Sequence, residues 1–201
     1  MADFFDSAYR ATPPWDVGKP QPAMLALLDE FPPAGPVLDV GCGTGELALA
    51  LAGRGLQVLG VDLAAAAIEK ARAKAKTAPQ VADFVTFQVG DALHPSLLPG
   101  PFGAVVDTGF FHVFGAAERE AIAQELAATL ATGGRYYLLG FAIESPYPNA
   151  PRPVREDELR ALFAPERGWR VLALRAARFQ TRSPLGHVPA LAACIERDAA
   201  A

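Results

Sequence analysis

Three glycines alternate along Gly41-Cys-Gly-Thr-Gly45, and an acid, Glu46, follows at once. A turn this dense in glycine can visit positive φ and let a ligand rest on bare backbone. An apolar run, Val37, Leu38 and Val40, enters the turn. A helical pattern leaves it, with Leu47, Ala48, Leu51 and Ala52 on one face. Amides that open such a helix are donors for an anionic group. The spacing selects the ligand. A dinucleotide fingerprint would put its third glycine at position 46, where this chain carries Glu46, and no G-K-[ST] follows for a phosphate loop. A carboxylate where a pyrophosphate would dock points instead to a ligand with no phosphate, one small carboxylate and a positive centre. S-adenosylmethionine fits that description.

Further acids stand at the right places. Asp62 ends the apolar run Leu56–Val61, about 20 residues past the first glycine, where a ribose diol is gripped. Asp91, in Gly90-Asp91-Ala92 after the run Phe84–Val89, is an acceptor placed for the exocyclic amine of an adenine. Methyl transfer from a sulfonium is an in-line displacement, so the protein's task is mostly to position the nucleophile. A thiol needs little basic help at neutral pH and a phenol needs more. His112, five residues past Asp107, is the base with the best address: a general base or a substrate-orienting donor, or else a histidine packed among Phe110, Phe111 and Phe114. Asp107 itself either faces the positive charge of the methionine moiety or caps the helix that follows. Trp15 lies either in a core under the first helix or, on the proline-stiffened arm Thr12-Pro-Pro14, over something the arm covers.

Elements that would position these groups alternate strand and helix. Helices are expected at 22–30, 45–53, 64–77, 117–131 and 155–163. Strands are expected at 36–40, 57–61, 83–89, 103–107 and 135–141, with 169–176 and 190–196 as a closing pair. A proline-rich connection spans 145–153. The N-terminal 22 residues form an arm without a core of its own. The whole reads as one α/β domain, with the arm at 1–22 and the catalytic core at 23–201.

Val37-Leu-Asp-Val-Gly-Cys-Gly-Thr-Gly45, Val58-Leu-Gly-Val-Asp-Leu63, Gly90-Asp91-Ala92 and Phe102-Gly-Ala-Val-Val-Asp107 together resemble the successive motifs of class I S-adenosylmethionine-dependent methyltransferases over roughly residues 36–141. Thr12-Pro-Pro-Trp-Asp16, Gln21-Pro22 and Asp107–Phe114 resemble the small bacterial branch akin to thiol, halide and thiopurine methyltransferases. The resemblance implies a Rossmann-like seven-stranded sheet, mostly parallel with a C-terminal antiparallel hairpin, and helices on both faces. It implies a cofactor site made of Asp39, Gly41, Cys42, Gly43, Gly45, Asp62, Leu63, Asp91, Ala92 and Asp107. It also carries to Trp15 the role of an arm tryptophan that contacts the cofactor, with S-adenosylhomocysteine as product. His112 and Asp107 are the candidate catalytic residues.

Composition narrows the alternatives. The 201 residues are 51% hydrophobic with a formal charge of −4, enough for one buried core and without a basic patch for nucleic acid. No apolar run approaches the ~20 residues of a membrane span. The N-terminus lacks the basic and apolar regions of a signal peptide, so a cytoplasmic location is expected. Cys42 and Cys194 form no C-x-x-C pair, and His94, His112 and His187 show no ligand spacing, so no metal is expected. The expected partner is a small methyl acceptor bearing a thiol or aromatic hydroxyl, and the chain is expected to be a monomer or weak homodimer. The alternative from another class is a non-catalytic cofactor-binding regulatory module. A short-chain dehydrogenase fails on the loop spacing and the missing Tyr-x-x-x-Lys pattern.

Overall fold

The structure, a computed structural model, describes residues 2–144 and 151–198. Helix α1 (Ala2–Arg10) and α2 (Pro22–Glu30) precede β1 (Val37–Val40), α3 (Glu46–Ala52), β2 (Val58–Asp62) and α4 (Ala65–Lys76). A short α5 (Pro79–Ala82), β3 (Val85–Val89), β4 (Phe102–Thr108), α6 (Ala116–Thr129) and β5 (Leu130–Phe141) follow. Helix α7 (Glu156–Leu162) leads into β6 (Trp169–Gln180) and β7 (His187–Arg197). The seven strands form one sheet in the order β3-β2-β1-β4-β5-β7-β6, parallel from β1 to β5, with β7 antiparallel to both its neighbours. This is the Rossmann-like sheet with a C-terminal antiparallel hairpin that the sequence predicts.

Strand β1 lies inside the sheet, between β2 and β4, and its four residues are all buried, as in a strand covered on both faces. One face packs Met24 and Leu27 of α2, Leu51 of α3 and Ile68 of α4. The other packs Ile122 and Leu126 of α6, Leu159 of α7, and Phe163 and Trp169. Chain order reverses at β1, which has β2 on one side and β4 on the other, so a crevice opens beyond the carboxyl ends of β1 and β4. Asp39 pairs in register with Gly60 and Val106, and Val40 with Val61 and Asp107. Three acids, Asp39, Asp62 and Asp107, therefore gather at one edge.

Two expectations need correction. The arm is not featureless: α1 is a helix held to α4. The Asp6 carboxylate accepts the Ala66 N–H at 2.8 Å, capping α4, and Lys70 Nζ donates to the Ala11 carbonyl at 2.7 Å. The closing hairpin is also longer than expected, because β6 runs on through Phe179 to Gln180. Its end is clasped by Gln21, whose Oε1 accepts the Gln180 N–H at 2.7 Å and whose Nε2 donates to the Gln180 carbonyl at 2.9 Å. Helix α5 has no counterpart in the sequence reading. The proline-rich connection falls partly on residues 145–150, outside the described residues. Among the described residues no helix is long and apolar enough to cross a membrane.

Candidate active site

The glycine turn has the backbone its composition demands. Gly41, Gly43 and Gly45 hold φ of +63°, +53° and +83°. A Cβ on Gly43 would lie 2.7 Å from the Tyr9 hydroxyl, and one on Gly45 would lie 2.6 Å from the Phe87 ring. Asp62 fixes the turn to the next strand: Oδ2 accepts the Gly43 N–H and Oδ1 the Ala64 N–H, both at 2.9 Å. Each oxygen keeps one acceptor direction for a ligand. Cys42 is packed under the turn, and burial followed by the charges of Asp39 and Asp62 pushes its thiol well up, which makes it an inert filler.

A cleft opens beside this turn, lined on the arm side by Tyr9, Trp15 and Lys19 and on the sheet side by Asp39, Thr108 and Phe179. Trp15 Nε1 donates to the Tyr9 hydroxyl at 3.0 Å, so the two aromatics cover the glycines as a unit. Glu46 also lines the cleft, with Lys74 at 2.5 Å. Asp39 Oδ2 and Thr108 Oγ1 are buried with no hydrogen-bond partner among the described residues. Burial, then the neighbouring Asp107 and Asp62, raise the Asp39 carboxyl well above the carboxylate range. An orphaned buried polar group costs about 1–3 kcal/mol, so both atoms are poised for a ligand's donors. The amides of Cys42, Gly43 and Gly45 are spent on the Val61 carbonyl, Asp62 and the Cys42 carbonyl, so the fit to S-adenosylmethionine rests on glycine backbone that a ligand can approach closely and on an orphan acceptor for an ammonium. Leu63 and Asp91 lie exposed at the ends of β2 and β3, with Ala92 buried beside them. Asp91 spends one oxygen on the Leu93 N–H at 2.9 Å.

Strand four decides between readings that the sequence left open. Asp107 is wholly buried, and its Oδ1 accepts the Phe110 N–H at 2.8 Å. Its Oδ2 accepts the Phe111 N–H at 3.0 Å and the Tyr136 hydroxyl at 2.8 Å. Both oxygens are committed to protein donors, which favours the capping reading of Asp107 over the cofactor-facing and catalytic one. The setting of His112 favours its donor reading over the base. Its Nδ1 accepts the Phe141 N–H at 3.0 Å, so the neutral ring carries its proton on Nε2 and has no free lone pair. Burial and then the Arg119 charge push the imidazole down to about 3, so it stays neutral. What remains is a donor, Nε2–H, in an aromatic group with Phe141 and Phe179 at ring distances of 4.4 and 6.1 Å. Arg119 pins this region, donating to the carbonyls of Phe111, Arg152 and Pro153 and pairing with Glu158 at 2.6 Å.

Burial raises Asp39 and Asp62, and lifts Asp107 to about 6. The folded state thus holds these protons more tightly than the unfolded chain, whose aspartates titrate near 3.9. The contribution of Asp107 to stability is therefore gained as pH falls from about 6 to about 4 and is lost as pH rises through the same window. Glu196, held down by Arg170 and Arg135, works in the opposite direction at lower pH. The urea midpoint is expected to be higher at pH 5 than at pH 7, with the rise reduced in Asp107→Asn. An equal rise in that variant would assign it to other groups.

The structure brings Trp15, Asp39, Gly41, Cys42 and Gly43 around one cleft. It sets Gly45, Asp62 and Asp107 behind it as supports and leaves Leu63 and Asp91 on an open shelf. Sequence reasoning missed Lys19, and it missed Phe179 because the strand that carries it was ended four residues too soon, at Ala176 and not Gln180.

This sheet order, with a non-dinucleotide glycine turn at the switch point, is the Rossmann-like arrangement of the class I methyltransferase fold. A family profile described as "Methyltransferase domain" matches residues 37–134. The chain is 36% identical over 188 residues to a 2-heptyl-1-hydroxyquinolin-4(1H)-one methyltransferase of Mycobacteroides abscessus, covering 89% of this chain and 81% of that one. It is 29% identical over 160 residues to a probable thiol methyltransferase 2 of Arabidopsis thaliana, covering 76% and 67%. A solved structure described by the conversion of a disulfide bond into a thioacetal group during echinomycin biosynthesis superimposes with a TM-score of 0.84 at 32% identity, covering 98% of this chain and 93% of that one. The chain belongs to the class I S-adenosylmethionine-dependent methyltransferases, and it is an enzyme of that type acting on a small molecule.

Proposed function

We propose that the enzyme methylates a small aromatic acceptor that reaches the site already ionised, foremost a heteroaromatic hydroxyl. The observation that carries this reading is the Phe141 N–H on His112 Nδ1, which makes the buried histidine behind the cleft residue Phe179 a donor and not a base. An acidic hydroxyl needs no base, and the Nε2–H can hold its anion. The hydroxyquinolone named for the Mycobacteroides relative is an acceptor of this kind. An arenethiol is the second reading, supported by the thiol methyltransferase relative and by the ease with which thiols ionise.

When bound, S-adenosylmethionine supplies a methyl activated on a sulfonium. The bare backbone of the Gly41–Gly45 turn would lie against its methionine end, with Asp39 on the ammonium, Asp62 on the ribose hydroxyls, and Asp91 with Leu63 and Ala92 at the adenine. Trp15 and Tyr9 would close the arm, residues 1–22, over the core of 23–201 and exclude water. Phe179, beside Thr108, and the His112–Phe141 pair would hold the acceptor ring.

Incubation with S-adenosylmethionine and acceptors of graded acidity, read out as S-adenosylhomocysteine release, tests this. Turnover is expected to track each acceptor's own ionisation rather than a fixed enzymic pKa. His112→Gln, which keeps an acceptor for Phe141 and a donor for the substrate, is expected to cost less than about tenfold, with an unchanged pH profile. A loss of about a hundredfold that fades as pH rises toward the acceptor's pKa would restore the base and overturn the reading.

A further inference from the structure

Lys19 is the one cationic side chain among the residues lining the cleft. The acids around it are already engaged. Glu46 is matched by Lys74, and Asp16 accepts the Thr44 hydroxyl and the Gly18 N–H, each at 3.1 Å. Burial drives Asp39 toward its neutral form. Lys19 takes part in no ion pair among the described residues. Its segment is tied at both ends, by Asp16 to Thr44 of the glycine turn and by Gln21 to Gln180, next to Phe179. Lys19, exposed at the rim of the cleft, thus sits on a segment anchored between the cofactor's turn and the aromatic wall.

We propose that Lys19 selects the acceptor, its ammonium holding the negative charge of the incoming oxygen or sulfur nucleophile. This rests on the reading of an ionised acceptor given above. The sign of the kinetic effect follows from charge. Transfer joins the nucleophile's lone pair to the methyl carbon as the carbon–sulfur bond breaks and its electrons return to sulfur. The acceptor's negative charge and the sulfonium's positive charge are both consumed. A lysine that grips the anion therefore binds the substrate at least as strongly as the transition state, so its removal raises KM and leaves kcat unchanged or slightly higher.

The test compares wild type, Lys19→Met and Lys19→Arg with thiophenol and 1-hydroxypyridin-2-one as acceptors, alongside calorimetry with S-adenosylhomocysteine. Lys19→Met is expected to raise the acceptor KM about tenfold, hold kcat within about threefold and abolish the rise of KM with salt. Lys19→Arg is expected to restore KM, and affinity for S-adenosylhomocysteine is expected to stay within about twofold in all three. An unchanged KM in Lys19→Met overturns the proposal. So does a tenfold loss of S-adenosylhomocysteine affinity, which would assign the lysine to the cofactor carboxylate. Methylation of neither probe by wild type would count against the proposed acceptor class and not against Lys19. In that case, calorimetric binding of thiophenolate to the S-adenosylhomocysteine-loaded protein decides. Binding weakened in Lys19→Met upholds the proposal and equal binding overturns it.

Discussion

Gly43→Val is expected to abolish cofactor binding, with affinity for S-adenosylhomocysteine falling by more than about a hundredfold, while the protein still folds. Two separate effects act at this position. The left-handed φ of +53° is costly for a β-branched residue, by roughly 1–2 kcal/mol. The new Cβ also meets the Tyr9 hydroxyl at 2.7 Å, so the arm must lift and the Trp15–Tyr9 bond must break. Both changes fall on the surface where ligand and turn amides meet. Gly55 separates them, since it has φ of +81° with open space around it. Gly55→Val is expected to show the strain alone, with a lowered unfolding midpoint and unchanged ligand affinity. Calorimetry and urea titration of the two variants check both outcomes. Wild-type affinity in Gly43→Val would remove the glycine turn from the binding site.

The sheet was legible because its signals are local. Each parallel strand is a short apolar run, and each crossover helix carries one apolar face, so the βα alternation follows from periodicity, while the antiparallel ending is what the family resemblance implies. The glycine turn and Asp62 were legible for the same reason, as one contiguous motif and one strand tip. What stayed hidden depends on contacts between distant residues. The end of β6, Arg175-Ala-Ala-Arg178, reads as polar because it lies at a sheet edge, and Gln21 clasps it from 159 residues away. Helix α1 left a faint trace in the Asp6–Arg10 pair one turn apart, but its anchor is the N-terminus of α4. The roles of Asp107 and His112 could not be settled from their own neighbours. Tyr136 and Phe141 of β5 fix them, each 29 residues further along. Lys19 is an unremarkable loop lysine until the fold closes it over the cleft.

Asp107→Ala is expected to destabilise the protein by about 2–5 kcal/mol and to reduce kcat/KM at least about a hundredfold, while affinity for S-adenosylhomocysteine falls far less. Removing the carboxylate leaves the Phe110 and Phe111 amides and the Tyr136 hydroxyl without their acceptor, at about 1–3 kcal/mol for each buried group. Part of that cost is offset. A carboxyl raised to about 6 is one whose burial penalty exceeds the help of its donors, and two pKa units correspond to about 3 kcal/mol recovered when the charge is deleted. The net effect remains destabilising because the donors stay buried. Catalysis suffers through position, since the released turn carries Phe110, which packs on Gly41, and His112, whose ring faces Phe141 and Phe179. Asp107→Asn keeps one acceptor oxygen and should fall between wild type and Asp107→Ala in stability and turnover. A carboxylate that instead faced the cofactor's methionine would give the reverse pattern, with binding of S-adenosylhomocysteine lost tenfold or more and the urea midpoint nearly unmoved. Denaturation and calorimetry on the two variants separate the capping acid from the binding acid, and the reverse pattern would sink the capping assignment.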